Sequence, residues 1–299
     1  MKQNFLPQIE AYLDYLTVEK GASLNYRLIN QRALQKFFGA IETTDLEAIQ
    51  AEQLRDFLMI EKREGRRPAG LKILAVALRH FFRWWAEQDK NRVNPALFLD
   101  LPKLDRRLPD TLSELQVDDF LKTPFGETIL GLRNRAICEL LYSCGIRVSE
   151  LVKARLENVD FEKSYLRVIG KGNKERLIPM GQVALQVVQD YLQKSRPALV
   201  KIKTGGEIFL GQHGGKLTTT RVWEIIQTHA QKAGIKKRIY PHALRHSFAT
   251  HLLQHGADLR VIQEMLGHAN IATTEVYTHV DNLAVKNVHW KFHPRSGKK

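Results

Sequence analysis

Cysteine is scarce: 299 residues contain only Cys138 and Cys144, six positions apart in an apolar helical stretch. They form neither a CxxC motif nor a disulfide framework. A stapled secreted scaffold is therefore excluded, and both read as small buried thiols in a reducing compartment. Long apolar runs are missing as well. No stretch of about 18 apolar residues occurs, and the opening MKQNFLPQIEAYLDYL carries no apolar core of signal-peptide type. A soluble, cytoplasmic chain with no membrane partner is the expectation. There is neither an internal repeat nor a low-complexity tract. Acidic residues are also in short supply, 32 against 46 Lys plus Arg.

That shortfall leaves a formal net charge of +14. An excess of this size along a folded chain favours a polyanionic partner, usually nucleic acid. Apolar residues at 43% are normal for a globular protein and too many for a disordered one. The length has room for two domains, each able to bury a core.

Residues 1 to about 100 read as a helical bundle. Apolar residues recur at three-to-four spacing in FLPQIEAYLDYL, NYRLINQRALQKFF, LEAIQAEQLRDFLMI and GLKILAVALRHFFRWWAEQ. Breaks are expected at Gly21, Gly39, Gly65 with Pro68, and Asn94-Pro95. LPKLDRRLPD, residues 101–110, reads as an extended linker, which sets the second domain at 111–299. There Thr111 or Ser113 starts a helix, and Gly145 closes GLRNRAICELLYSCG. The runs Tyr165–Ile169 and Glu175–Pro179 flank the turn GKGNK and predict a β-hairpin. GEIFLG, residues 206–211, is a candidate further strand, and helices return in TRVWEIIQTHAQKAG and beyond. The predicted class is mainly α in two domains, with a small antiparallel sheet in the second. PRSGKK at the end reads as a solvated basic tail.

The side chains suited to chemistry lie in the second domain. Pro241 and Gly256 bracket a helix on which His242, Arg245 and His246 are spaced to share a face. Asp258 and Gly267 bracket a second helix, His268 follows directly, and Tyr277 comes nine residues later. Upstream stand Arg147 in CGIRVSEL and Lys171 in GKGNKER. Together these are two guanidiniums, an ammonium, two imidazoles and a phenol. Such a set can grip a phosphodiester, attack it and protonate what leaves. No carboxylate cluster of the kind a magnesium-dependent nuclease needs accompanies it.

LLYSCGIRVSEL, GKGNKERLIPM, PHALRHSFATHLLQHGADLRVIQEMLGH and IATTEVYTHV together resemble the tyrosine recombinases of phage-integrase type, specifically the Xer branch. LRHFFRWWAEQDKNRVNPALFLDLPKLDRRLP resembles the end of that family's N-terminal SAM-like core-binding domain running into its linker, so the likeness covers essentially the whole chain. It implies catalytic Arg147, Lys171, His242, Arg245 and His268, with Tyr277 as nucleophile. It also implies a 3′-phosphotyrosyl intermediate and a free 5′-hydroxyl, with no cofactor, metal or ATP. The two arginines would meet the charge on the phosphate, Lys171 would protonate the departing 5′ oxygen, and His242 would accept the phenolic proton. His268 would hydrogen-bond the phosphate. Glu150 matches an acidic position that supports the family's site, a plain helix-surface role being the alternative. Cys144 stands where relatives carry a small residue, with no functional change expected.

The implied partner is double-stranded DNA with a specific recombination site, held by two domains as a C-shaped clamp. Arg66, Arg67 and Lys72 are candidate DNA contacts, while the aromatics of their helix read as core. The resemblance further implies a homo-tetramer, or a hetero-tetramer with a paralogous recombinase, and a septal DNA translocase as a further partner. DNLAVKNVHW has the spacing of a helix docked on a neighbouring protomer. Dimer resolution is the favoured use, with mobile-element integration the alternative. A type IB topoisomerase would share the tyrosine chemistry, and a non-catalytic repressor would leave Tyr277 and the arginines without purpose. A zinc site has eleven histidines to draw on, with His251/His255 and His242/His246 at i, i+4. It lacks HExxH, CxxC and a third ligand at usual spacing.

Overall fold

The computed structural model describes residues 5–102, 111–170, 175–267 and 279–296. The chain forms two compact units, Met1–Arg106 and Arg107–Lys299. Among the described residues it is mainly α, with one small antiparallel sheet.

Unit 1 consists of α1 (Leu6–Val18), α2 (Leu24–Ala40), α3 (Ala51–Arg63) and α4 (Pro68–Glu87). Glycines with positive φ, Gly21 and Gly65, lie after α1 and α3, where the chain must leave the helix. Gly39 stands in the last turn of α2, which ends one residue later at Ala40, just beyond the buried Phe37 and Phe38. The core is aromatic. Phe81 and Phe82 of α4 are fully buried and meet Tyr12, Phe37 and Phe38 mainly edge to face. At about 1.5–3 kcal/mol for each buried ring, these side chains hold the bundle and cannot stack on bases. Of the linker 101–110, residues 103–110 lie outside the described residues.

Unit 2 is built around α6 (Ile129–Ser143), of which ten residues are buried, charged Arg133 and Glu139 among them. A helix covered on all sides occupies the centre of its domain. Before it comes α5 (Glu114–Lys122), capped by Ser113 and tied to a segment 135 residues later by the Leu112 N–H donating to Ser247 Oγ at 2.8 Å. After it come α7 (Val148–Leu151) and the sheet of β1 (Val159–Asp160), β2 (Tyr165–Ile169) and β3 (Glu175–Pro179), in order β1-β2-β3. The β2–β3 pairing runs from Tyr165↔Pro179 to Ile169↔Glu175. The expected hairpin strands therefore form, and β1 is added.

Four more helices follow: α8 (Gln182–Asp190), α9 (Arg196–Leu199), α10 (Thr219–Lys232) and α11 (Pro241–Gln254). Residues 206–211 do not form a strand. They make only the isolated bridges Arg155↔Glu207 and Leu210↔Lys216, and Ile208, Phe209 and Leu210 are buried as core side chains. Apolar content alone had suggested pairing.

The last elements are α12 (Leu259–Leu266) and α13 (His279–Phe292). Among the described residues α13 packs on its own unit, against β3 and α12. His289 is fully buried and donates through Nε2 to Ser143 O at 2.8 Å. Nor are residues 294–296 a solvated tail. Arg295 forks onto the buried Glu139 at 2.7 and 2.9 Å, and Ser296 is buried. Glu139, inside the core, needs a cation, and Arg295 supplies it. No described helix is long and apolar enough to cross a membrane.

Candidate active site

The central helix α6 stops at Cys144, and Gly145 turns the chain with φ +56°. Only glycine fits there, because a Cβ would overlap the Phe248 ring on α11. Two residues later Arg147 caps α7. Its backbone N–H donates to Glu150 at 2.8 Å and its Nη1 to the same carboxylate at 3.0 Å.

A second guanidinium reaches Glu150 from the sheet. In β3 the exposed Glu175 and Leu177 alternate with the buried Arg176 and Ile178, so Arg176 points inward. It forks onto Glu150 at 2.9 and 2.8 Å, and its Nε donates to Met265 O at 2.9 Å. From α11 the buried Arg245 donates to Gly145 O at 2.6 Å and to Leu266 O at 2.5 Å. Arg147 Nη2 donates to Gly267 O at 3.3 Å. Three guanidiniums thus cap three consecutive carbonyls, 265 to 267, at the end of α12. Those carbonyls are the partly negative groups that a helix C-terminus leaves unbonded. Gly267 ends the helix in the left-handed region, φ +66°, and its backbone leads directly to His268.

Burial alone would raise the Glu150 carboxyl, but the fork from Arg176 and the bonds from Arg147 outweigh it. The net shift is downward, so Glu150 is a carboxylate. Burial, and then the nearby positive charge of Arg147, pull Arg245 down to about 10, which still leaves it charged at neutral pH. Three positive charges against one negative make a cationic cluster with fixed donors, which suits an oxyanion.

Of the six expected site residues, Arg147 and Arg245 come together here. His242 sits one turn before Arg245 on α11 but is exposed, as is His246, while Arg245 is buried; the expected shared face is split between solvent and interior. Lys171, His268 and Tyr277 lie outside the described residues. Glu150 is buried, not a helix-surface residue.

Arg176 was missed. Within GKGNKERLIPM it reads as one more surface cation of a basic chain; only the strand alternation through Glu175, Leu177 and Ile178 marks it as inward.

Of the histidines considered for zinc, His251 and His255 have other partners. His251 Nε2 donates to Leu112 O at 2.9 Å, so its Nδ1 accepts from the Tyr142 hydroxyl at 2.9 Å. His255 bonds Phe292 O and Glu114. Among the described residues no three His, Cys, Asp or Glu side chains are grouped as metal ligands. In unit 1 Arg67 is exposed and Lys72 half-buried, whereas Arg66 is held by the buried Glu61, which Lys36 also pairs. Both cysteines are buried and free, and burial pushes their thiols up.

The profile of the phage integrase family matches residues 110–283. Tyrosine recombinase XerD of Listeria innocua is 40% identical over 293 residues, covering 96% of this chain and 99% of the relative. The chain belongs to the phage integrase family. It is a tyrosine recombinase of the Xer branch, and membership makes it a DNA strand transferase. Tyrosine recombinase XerD of Pseudomonas putida is likewise 40% identical, over 97% of this chain and 98% of the relative. The crystal structure of XerH site-specific recombinase bound to difH substrate superposes with a TM-score of 0.70 at 22% identity, covering 95% of this chain and 81% of that one. At that identity the likeness speaks for the tyrosine-recombinase fold alone.

Proposed function

We propose that this recombinase resolves chromosome or plasmid dimers. It would cut and rejoin double-stranded DNA at a specific recombination site through a 3′-phosphotyrosyl bond to Tyr277. The observation that carries the reading is the convergence of Arg147 and Arg245, from sequence-distant elements, on the last carbonyls of α12. Their N–H donors meet the charge that builds on the non-bridging oxygens during attack. Tyr277 attacks phosphorus, and His242 takes the phenolic proton. Lys171 gives a proton to the 5′ oxygen as its bond to phosphorus breaks. The reverse sequence, with a 5′-hydroxyl as nucleophile, restores the strand. The ester conserves the bond, so ATP is not consumed, and the guanidiniums take the place of a metal ion.

Residues 1–100 serve as the DNA-binding domain and residues 111–299 as the catalytic domain, joined by the linker 101–110. Arg67 and Lys72 contact phosphates, with Arg66 beside them. The working assembly is a tetramer on two DNA sites, formed by this chain alone or with a paralogous recombinase, and a septal DNA translocase is a further partner.

The test is covalent capture. Wild type and Tyr277→Phe are expressed in cells, DNA–protein adducts are recovered under denaturing conditions, and the attached ends are sequenced. Wild type is expected to yield adducts at a site in the chromosome or a plasmid, with or without chelator during rejoining assays, and Tyr277→Phe none. An adduct persisting in the variant refutes the nucleophile. Arrest by chelator refutes metal independence, and ends from a mobile element reassign the biological role to integration.

A further inference from the structure

We infer that Arg176 is a positioning residue for strand cleavage, holding Glu150 so that Arg147 keeps donors free for the phosphate. The inference rests on the reading that Arg147 and Tyr277 carry out cleavage.

Glu150 is buried and offers two oxygens to two guanidiniums. Arg176 takes the bidentate share, one N–H to each oxygen, at 2.9 and 2.8 Å. Arg147 is left with a single side-chain bond to Oε1 at 3.0 Å plus its backbone N–H to Oε2. Only that division leaves Arg147 Nη2 turned toward the α12 end, on Gly267 O at 3.3 Å. A buried carboxylate without Arg176 would still need charge-assisted donors. The nearest is the rest of the Arg147 fork, so Glu150 would draw Arg147 into the bidentate pair and off the phosphate.

Arg176 also couples two other parts of the site. It lies five residues beyond Lys171, on β3, the strand that closes the hairpin, and it is fixed there by Ile169↔Glu175 and Val168↔Arg176 pairing. Its Nε holds Met265 O, three residues before His268. The glycine at 267 is part of the fit, since a Cβ there would stand 3.1 Å from Arg176 Nη1. One buried side chain therefore ties β3, the Arg147 turn and the end of α12 together. Lysine cannot replace it, because an ammonium has no planar fork.

The experiment uses a duplex carrying the captured joined sequence, nicked so that cleavage is irreversible. Wild type, Arg176→Lys, Arg176→Met and the double variant Arg176→Met/Glu150→Gln are compared in single turnover. DNA affinity and thermal unfolding are recorded for each. Both Arg176 variants are expected to cleave about 10²-fold more slowly, the scale set by displacing a reacting group by an ångström, with affinity changed less than threefold. The double variant removes the carboxylate that misdirects Arg147 and should recover at least tenfold of the Arg176→Met loss. A role confined to stability predicts the opposite, a double variant no faster than Arg176→Met. Should Arg176→Met not fold, Arg176→Lys with and without Glu150→Gln reads the same recovery. Wild-type cleavage rates in Arg176→Lys and Arg176→Met, or no recovery in the double variants, overturn the inference. Absence of cleavage by wild type, or cleavage by Tyr277→Phe, overturns the underlying reading instead.

Discussion

Replacing Arg295 by alanine should unfold the catalytic unit at a markedly lower temperature, although Arg295 lies only four residues from the end of the chain. Its guanidinium forks onto Glu139 at 2.7 and 2.9 Å, and the Glu139 side chain is only 1% exposed, in the middle of α6. Removing one partner of a buried pair costs about 3–5 kcal/mol, mostly because the other charge is left stranded. Here Ser143 Oγ still donates to Glu139 at 2.9 Å, and the Arg295 side chain is 17% exposed. Both place the cost at the lower end, about 3 kcal/mol. For a unit of this size that lowers Tm by roughly 6–12 °C. The assay is thermal and urea unfolding of the full chain, with Trp290 of α13 among the reporters. Arg295→Ala/Glu139→Gln removes the stranded charge and should recover about half the loss. A shift below about 2 °C, as for an exposed pair such as Arg221 with Glu224, would refute the claim that the C-terminal segment is part of its own unit's core.

Two further outcomes follow from the same interior. Burial holds His289 down to about 4, with its ring stacked on His293. The unfolded chain therefore binds the extra proton first. Stability is full above the ordinary histidine value near 6.5 and is lost as pH falls toward 4, of order 3 kcal/mol for this group. His289→Gln should flatten that slope between pH 6.5 and 4 in urea titrations, and an unchanged slope would count against the assignment. Gly145→Ala combines a left-handed backbone with overlap on Phe248 and should cost about 2–5 kcal/mol. Phe248→Leu in the same chain should return part of it, and no such coupling would mean that the two groups do not meet.

Much of the fold was legible because local rules governed it. Helix periodicity in α1 to α4, the Ser113 and Asp258 caps, Gly267 at a helix end and the two hairpin strands all depend on neighbours within a few residues. Errors arose where distant contacts decided. Residues 206–211 are apolar as a core filler, not as a ladder. The basic end of the chain looked solvated because Glu139, its partner, lies more than 150 residues earlier. Arg147 and Arg245 were offered by the family resemblance of the motifs around them. The inward turn of Arg245 and the outward one of His242 were not, since helical spacing alone does not say which neighbour covers which side chain.

The sequence by itself determined the charge, the order of helices and hairpin, the family and the residue types offered for catalysis, all carried by short-range pattern and by long ordered motifs. Only the tertiary structure decided that Arg147, Arg176 and Arg245 meet at the last carbonyls of α12 around a single carboxylate. Such a meeting depends on how α6, α11, α12 and β3 pack, and packing at that distance leaves no periodic trace along the chain.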